Sequence, residues 1–387
     1  MFDSGKRAQR ILQKLVAFPT ISTDSNLAMI AWMADHLELH GARVFLDTDE
    51  GGTKANLFAT LGPEAGGGIL LSGHSDVVPV ADQDWSTDPF ALHEDQGRLY
   101  GRGTCDMKGF IAATLAIAET VDAARLRRPL HFAFTYDEET GCLGAQSLVG
   151  AMRDRGIVPD ITIIGEPTEM RVIEGHKGCC EYTAHFTGLE GHGSAPDLGV
   201  NAAEYAVRYV TRLMELRQDL IARAPADSKF EPPWTTINIG RISGGVAHNV
   251  IAGKAEVDWE MRPVQNSDAD FVKSSMARYC AETLLPAMQA VSPDASITVD
   301  TIGEIAGLEP MPENAARDLV AELTGANGAD LVAFGTEAGL FQALGSHVVV
   351  CGPGSIQQAH KPDEYLEIDQ LEACMTMLSR LVRHISR

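Results

Sequence analysis

The chain has 387 residues, beyond the size at which a single hydrophobic core keeps growing, so two domains are expected. Its 53 acidic residues outnumber 31 basic ones, and the formal charge of -22 disfavours nucleic acid or anionic lipid as partners and favours a small molecule. The seven cysteines (Cys105, Cys142, Cys179, Cys180, Cys280, Cys351 and Cys374) are odd in number and form no C-x-x-C pair, which argues against a secreted disulfide framework and for the cytoplasm.

The first twenty residues read as a helix rather than a targeting signal. Asp3 or Ser4 can cap it, Ile11, Leu12, Leu15 and Val16 share a face, and Lys6, Arg7, Arg10 and Lys14 interrupt any apolar core. No stretch approaches the ~20 uninterrupted apolar residues of a membrane span, so no membrane partner is expected. From there to about residue 178, apolar β-rich runs alternate with helical stretches such as 109–121. That alternation predicts an α/β domain, a mainly parallel sheet with helices on both faces.

Beyond residue 178 the pattern changes. A run over 180–187 is followed by an amphipathic helix over 201–223, with Ala203, Ala206, Val207, Val210, Leu213 and Met214 at helical spacing. Runs over 234–242 and 254–262 come next, then a helix marked by Phe271, Val272, Met276, Tyr279, Cys280 and Leu284, and a final run over 296–302. This β-α-β-β-α-β order is the split βαβ unit. It predicts an inserted α+β domain over 179–303, with 1–178 and 304–387 forming the two parts of the catalytic domain.

Five segments place metal-ligand side chains just past an apolar run or in the loop beyond one: His74 and Asp76, Asp106, Glu138 and Glu139, Glu166, and His360. In open α/β sheets ligands gather outside the carboxyl ends of the strands, which makes these residues candidates for one site. Two divalent ions about 3.5 to 4 Å apart can share a bridging carboxylate and a bridging water whose pKa is lowered toward neutrality. Zinc accepts this set of His nitrogen and carboxylate oxygen, and cobalt suits it too. Asp106, in a glycine-rich segment where the backbone can crowd a metal, is the candidate bridge. Asp106, Glu138, Glu139 and Glu166 together carry -4, which balances two dications.

Glu138 and Glu139 are adjacent, and successive strand residues point to opposite faces. Both reach one site only if the strand has ended, as Asp137 and Thr140-Gly141 suggest. One of them can then bind metal while the other takes the proton from attacking water and passes it to the leaving amine. Asp76, two residues after His74, can hold its imidazole from behind. Competing motifs fail. His93-Glu94-Asp95-Gln96-Gly97 lacks the second histidine of a zincin helix, residues 73–77 lack the closing glycine of a nucleophile elbow, and 101–108 carry Asp106 where a phosphate loop needs glycine. His93, His131, His176, His185 and His347 read as satisfied or surface residues, and Cys105 as a buried thiol.

Residues 72–79, 101–109, 137–141, Gly165-Glu166-Pro167 and Ala359-His360-Lys361-Pro362 together resemble the dinuclear metallohydrolase family of aminoacylases, glutamate-releasing carboxypeptidases and deacylases of amino-acid biosynthesis. The likeness covers essentially the whole chain. It implies one zinc on His74 and Glu166, another on Glu139 and His360, Asp106 between them, Glu138 as general base and Asp76 as orienter of His74. It also implies a cis peptide after Asp106, and makes His192 the donor to the developing oxyanion, reaching the site from the inserted dimerisation and lid domain of a homodimer partner in many family members. Stretches 232–238, 335–341 and 352–365 are most similar to the branch that hydrolyses the N-acetyl amide of N-acetylornithine, in arginine synthesis.

Such a substrate presents an α-carboxylate and a distant ammonium. Arg262, on the polar face of the run 254–262, can grip the carboxylate with two parallel hydrogen bonds, and Asn249 matches a family position at the same end. Glu337 is expected either to pair the ammonium or to cap the helix that follows it. Other N-acyl-amino-acid hydrolases of the family, such as those releasing succinate from diaminopimelate derivatives, and metallo-dipeptidases or carboxypeptidases remain alternatives. A non-catalytic binding protein is disfavoured, because no ligand position is missing.

Overall fold

The computed structural model describes residues 2–386, with side chains from Gly5 onward, so the cap expected at Asp3 or Ser4 lies outside the described side chains. The chain divides into two compact units. The first holds residues up to Gly175, Pro310–Val332 and Thr336 onward, and the second holds His176–Glu309 with Ala333–Gly335. Those limits stand against the expected 178/179 and 303/304.

The first unit carries an eight-stranded sheet in the order Arg43–Thr48, Ala55–Leu61, Leu130–Thr135, Ile69–His74, Ile161–Pro167, His347–Gly352, Ile173–His176 and Asp330–Val332. The four central strands, from Leu130–Thr135 to His347–Gly352, run parallel. Three of them are buried at every position, as expected of parallel strands covered on both faces. The flanking strands Arg43–Thr48, Ala55–Leu61 and Ile173–His176 pair antiparallel, which refines the expectation of a mainly parallel sheet.

Helix Gly109–Ala118 is apolar on all sides and wholly buried, as a helix lacking a polar face must be. It packs against Phe2–Val16 and Ile368–Ile385, while Leu143–Asp154 and Ala338–Leu344 pack on each other. Ile11, Leu12, Leu15 and Val16 of the first helix are all buried, as their spacing predicts. Among the described residues no helix is long and apolar enough to cross a membrane.

In the second unit a four-stranded antiparallel sheet runs Thr236–Gly244, Lys254–Arg262, Cys179–Thr187, Ser296–Ile305. Its helices are Ala202–Ala222 and Asn266–Tyr279, the latter continuing through a π-turn at Cys280–Leu284 into Leu285–Gln289. Asn201 starts the first of these by accepting from the amides of Ala203 and Glu204. Ala255, Val257, Trp259 and Met261 turn inward onto Cys180, Tyr182, Ala184 and Phe186, so Arg262 falls on the polar face.

His176 illustrates the structural histidines. It is buried, its Nδ1 lies 3.0 Å from the Lys177 carbonyl, and burial lowers its pKa to about 4. The unfolded imidazole titrates near its ordinary value, so between that value and about 4 the unfolded chain binds a proton that the folded one does not. Stability from this group is present above pH 6.5 and lost as pH falls, by up to about 3 kcal/mol. Urea midpoints measured from pH 7 to pH 4 should therefore fall less steeply in His176→Asn than in the wild type; equal slopes would refute the linkage.

Candidate functional site

His74 ends the central strand Ile69–His74, and its register partner on the neighbouring strand is Thr135, the last residue of Leu130–Thr135. The chain then leaves the sheet: Asp137 adopts a left-handed φ of 53°, and Lys54 Nζ holds its carboxylate at 2.5 and 2.6 Å. Because the strand has ended, Glu138 and Glu139 are not forced onto opposite faces. Glu166 lies within Ile161–Pro167. Gly165 before it is required by close packing, since a Cβ there would meet the Phe110 ring at 1.9 Å. Asp106 sits in the turn Thr104–Lys108 ahead of the buried helix, and the peptide after it is cis.

These side chains converge. Asp106 Oδ1 lies 3.0 Å from His74 Nε2, and Asp106 Oδ2 lies 3.3 Å from His360 Nε2. His360 Nε2 also meets Glu139 Oε1 at 3.1 Å, and His74 Nε2 is 3.8 Å from Glu166 Oε1. Ligand atoms of His74, Asp106 and Glu139 lie within 4.8 Å of one another, as do those of His74, Glu138 and Glu166. Glu138 thus stands nearer the His74–Glu166 side than its neighbour does.

The position of Asp76 is wider than expected. His74 Nδ1 is 3.0 Å from the Asp76 carbonyl and 3.5 Å from its Oδ1. The same carboxylate accepts from the amides of Glu138 and Glu139 at 3.1 and 3.4 Å and from Ser22 Oγ at 2.7 Å. One buried acid therefore holds the histidine and the tandem glutamates together. Neither Ser22 nor Lys54 stands in a sequence motif; only their contacts across the fold reveal them.

The electrostatics describe a site short of positive charge. Burial, joined by repulsion among themselves and from Asp106, pushes the carboxyls of Glu138, Glu139 and Glu166 up. Burial acts to lower the His74 pKa, but hydrogen bonds to Asp106 and Asp76 and the charge of Glu166 hold it well above its ordinary value. Hydrogen bonds to Asp106 and Glu139 carry His360 up to about 10. Glu166 Oε1 is buried with no hydrogen-bond partner. An orphaned carboxylate oxygen among crowded acids and imidazoles fits divalent cations.

Glu337 is 1% exposed, and its two oxygens accept from Ser72 Oγ at 2.5 Å and Thr135 Oγ1 at 2.7 Å. It makes no side-chain cap, contrary to one of its two expected roles; the amide of Ala338 donates to Thr336 Oγ1 instead. Its carboxylate ties the segment before Ala338–Leu344 to the strands that carry His74 and lead to Glu138.

His192, Asn249 and Arg262 lie in the second unit. His192 is exposed, with Nδ1 2.7 Å from Ser194 Oγ, and the next amide, Gly193, donates to the Asn249 carbonyl at 2.8 Å. Arg262 pairs with Glu260 through Nε at 3.0 Å and Nη2 at 2.8 Å. Cys105 is buried, its Sγ 3.2 Å from the Ser355 carbonyl, and burial pushes its pKa well up, as befits an unreactive thiol.

Residues 70–384 match the profile of peptidase family M20/M25/M40. The chain is 35% identical over 382 residues to an acetylornithine deacetylase of Shigella sonnei, covering 97% of this chain and 96% of that one. Among solved structures, an M20 family metallo-carboxypeptidase from Sulfolobus solfataricus superposes with a TM-score of 0.73 at 16% identity, covering 98% and 99% of the two chains. A dinuclear metal-binding peptidase from Bacillus subtilis gives 0.66 at 16% identity, covering 99% and 98%. With the convergence of histidines and acids at the strand ends, these likenesses show that the chain belongs to peptidase family M20/M25/M40 and is a metal-dependent amidohydrolase.

Proposed function

We propose that this chain hydrolyses the N-acetyl amide of N2-acetyl-L-ornithine to acetate and ornithine, a step of arginine synthesis. One observation carries the catalytic part of the reading: the two oxygens of Asp106 lie against two different histidines, His74 and His360, which suits a carboxylate shared between two metal positions. The 35% identity to an acetylornithine deacetylase along nearly the full length supports the substrate.

In this reading His74 and Glu166 would hold one divalent ion and Glu139 and His360 the other, with Asp106 as the ligand shared between them; zinc or cobalt would suit the donors. When bound, such a pair supplies Lewis acidity toward the scissile carbonyl and lowers the pKa of water. Glu138, its amide fixed by Asp76, takes the proton from the attacking water and delivers it to the departing amine. His192 donates to the developing oxyanion, and Arg262 and Asn249 receive the α-carboxylate. Glu260 holds Arg262 along its Nε and Nη2 edge.

The second unit supports a homodimer. Thr236–Gly244 is one of the two edges of its sheet, with Ile242 52% exposed, and Val207 and Met214, seven residues apart on helix Ala202–Ala222, are 57% and 52% exposed. An open edge beside exposed apolar side chains is a surface that a second copy would cover. Seven free thiols fit a reducing cytoplasm.

The test is steady-state hydrolysis by chelator-stripped protein before and after adding zinc or cobalt. N-acetylornithine, N-succinyl-diaminopimelate, N-acetylmethionine and a dipeptide are compared. Metal-restored activity led by N-acetylornithine is expected. Restored activity led by another substrate would reject the substrate assignment, and no activity on any would reject the catalytic one.

A further inference from the structure

We propose that Glu364 and Arg102 form a positioning pair that sets two metal ligands, Asp106 and His360, through their backbones; the inference rests on those two residues being ligands. Both side chains are 1% exposed, and Arg102 Nη1 donates to Glu364 Oε2 at 2.7 Å. A buried ion pair is by itself weak evidence for stability, because desolvation offsets the attraction. What distinguishes this one is the use made of its remaining hydrogen-bonding capacity.

Glu364 Oε2 also accepts from the Gly103 amide at 3.0 Å, and Oε1 accepts from the amides of Cys105 and Asp106 at 2.9 and 3.1 Å. Three amides of one turn thus point at a single carboxylate. Asp106 has non-helical φ and ψ of -122° and 93° inside that turn, so the turn cannot satisfy its amide internally as an α-helix would. With its amide held by Glu364, the Asp106 side chain is left to present one oxygen to each histidine.

The other end of the pair reaches His360. Arg102 Nη1 donates to the Lys361 carbonyl at 3.2 Å and Nη2 to Gln83 Oε1 at 2.5 Å, while Gln83 Nε2 donates to the His360 carbonyl at 2.9 Å. His360 has a φ of 63°, a conformation that residues with a Cβ seldom adopt unaided. A continuous chain of hydrogen bonds therefore runs from the Asp106 amide through Glu364, Arg102 and Gln83 to the His360 carbonyl. Partners that orient ligands in this way typically change metal affinity by about 10- to 100-fold when lost.

The experiment titrates chelator-stripped full-length protein with cobalt and follows the visible absorption spectrum. In Glu364→Gln one face of the amide must oppose backbone donors; cobalt affinity should fall about 10- to 100-fold with an altered spectrum, while far-ultraviolet circular dichroism is unchanged. Gln83→Ala leaves the buried pair in place and should weaken one of the two cobalt equivalents, leaving the other near its wild-type affinity. Wild-type affinity and spectrum in folded Glu364→Gln would overturn the proposal. Were that variant not to fold, an unchanged titration of Gln83→Ala would overturn it. A wild type that binds no cobalt would overturn the metal reading itself, an outcome distinct from either.

Discussion

Glu138→Gln is expected to lower kcat by roughly 10³-fold, with KM changed little and two metal equivalents retained, since positioned general bases contribute about 10² to 10⁴ in rate. The substitution preserves shape and the backbone contact to Asp76, and removes the basic oxygen. It also separates two roles that geometry brings close together. One carboxylate oxygen of Glu138 lies within 4.8 Å of ligand atoms of His74 and Glu166, so the residue is near enough to act as a ligand. Metal content after dialysis, measured by atomic emission beside single-turnover rates, decides the matter. A variant that loses metal in proportion to activity would make Glu138 a ligand and leave the base unassigned.

Asp106→Asn should have a comparable effect on rate through a different cause. Its two oxygens face His74 and His360, and an amide would turn a donor toward one of those sites while removing a unit of negative charge. Retention of at most one tightly bound ion is expected. Losing a cation that stabilises the transition state by several kcal/mol corresponds to about a thousandfold in kcat/KM. Unlike Glu138→Gln, part of the loss should return in excess cobalt, because it arises from occupancy. Cys105→Ser, next to Asp106 but turned toward Ser355, should stay within a few-fold of wild type. Two tightly held equivalents and near-normal turnover in Asp106→Asn would remove Asp106 as the bridge.

Much of this was legible from local pattern. Alternation over Lys254–Arg262 places Arg262 on the polar face, and the spacing of Ile11, Leu12, Leu15 and Val16 gives the buried stripe of the first helix. The turn chemistry at Asp137 and Thr140-Gly141 correctly ends the strand before Glu138. Glu337 shows where such reading stops. An acid ahead of a short helix resembles a cap or a ligand for a cation, yet a hydroxyl on each of two strands, more than two hundred residues earlier, takes both oxygens.

The element types, the split βαβ order of the insertion and the kinds of side chain at the strand ends follow from local pattern, because periodicity and turn residues are local properties of the chain. Which partners meet depends instead on how distant segments pack. Sheet order brings Leu130–Thr135 and Ile161–Pro167 to either side of Ile69–His74, so that His74 and Glu166 come together. Asp76 comes to serve four residues at once, and Glu364 closes on amides some 260 positions away. Those contacts follow from the packing of distant segments against one shared core, which one-dimensional spacing does not encode.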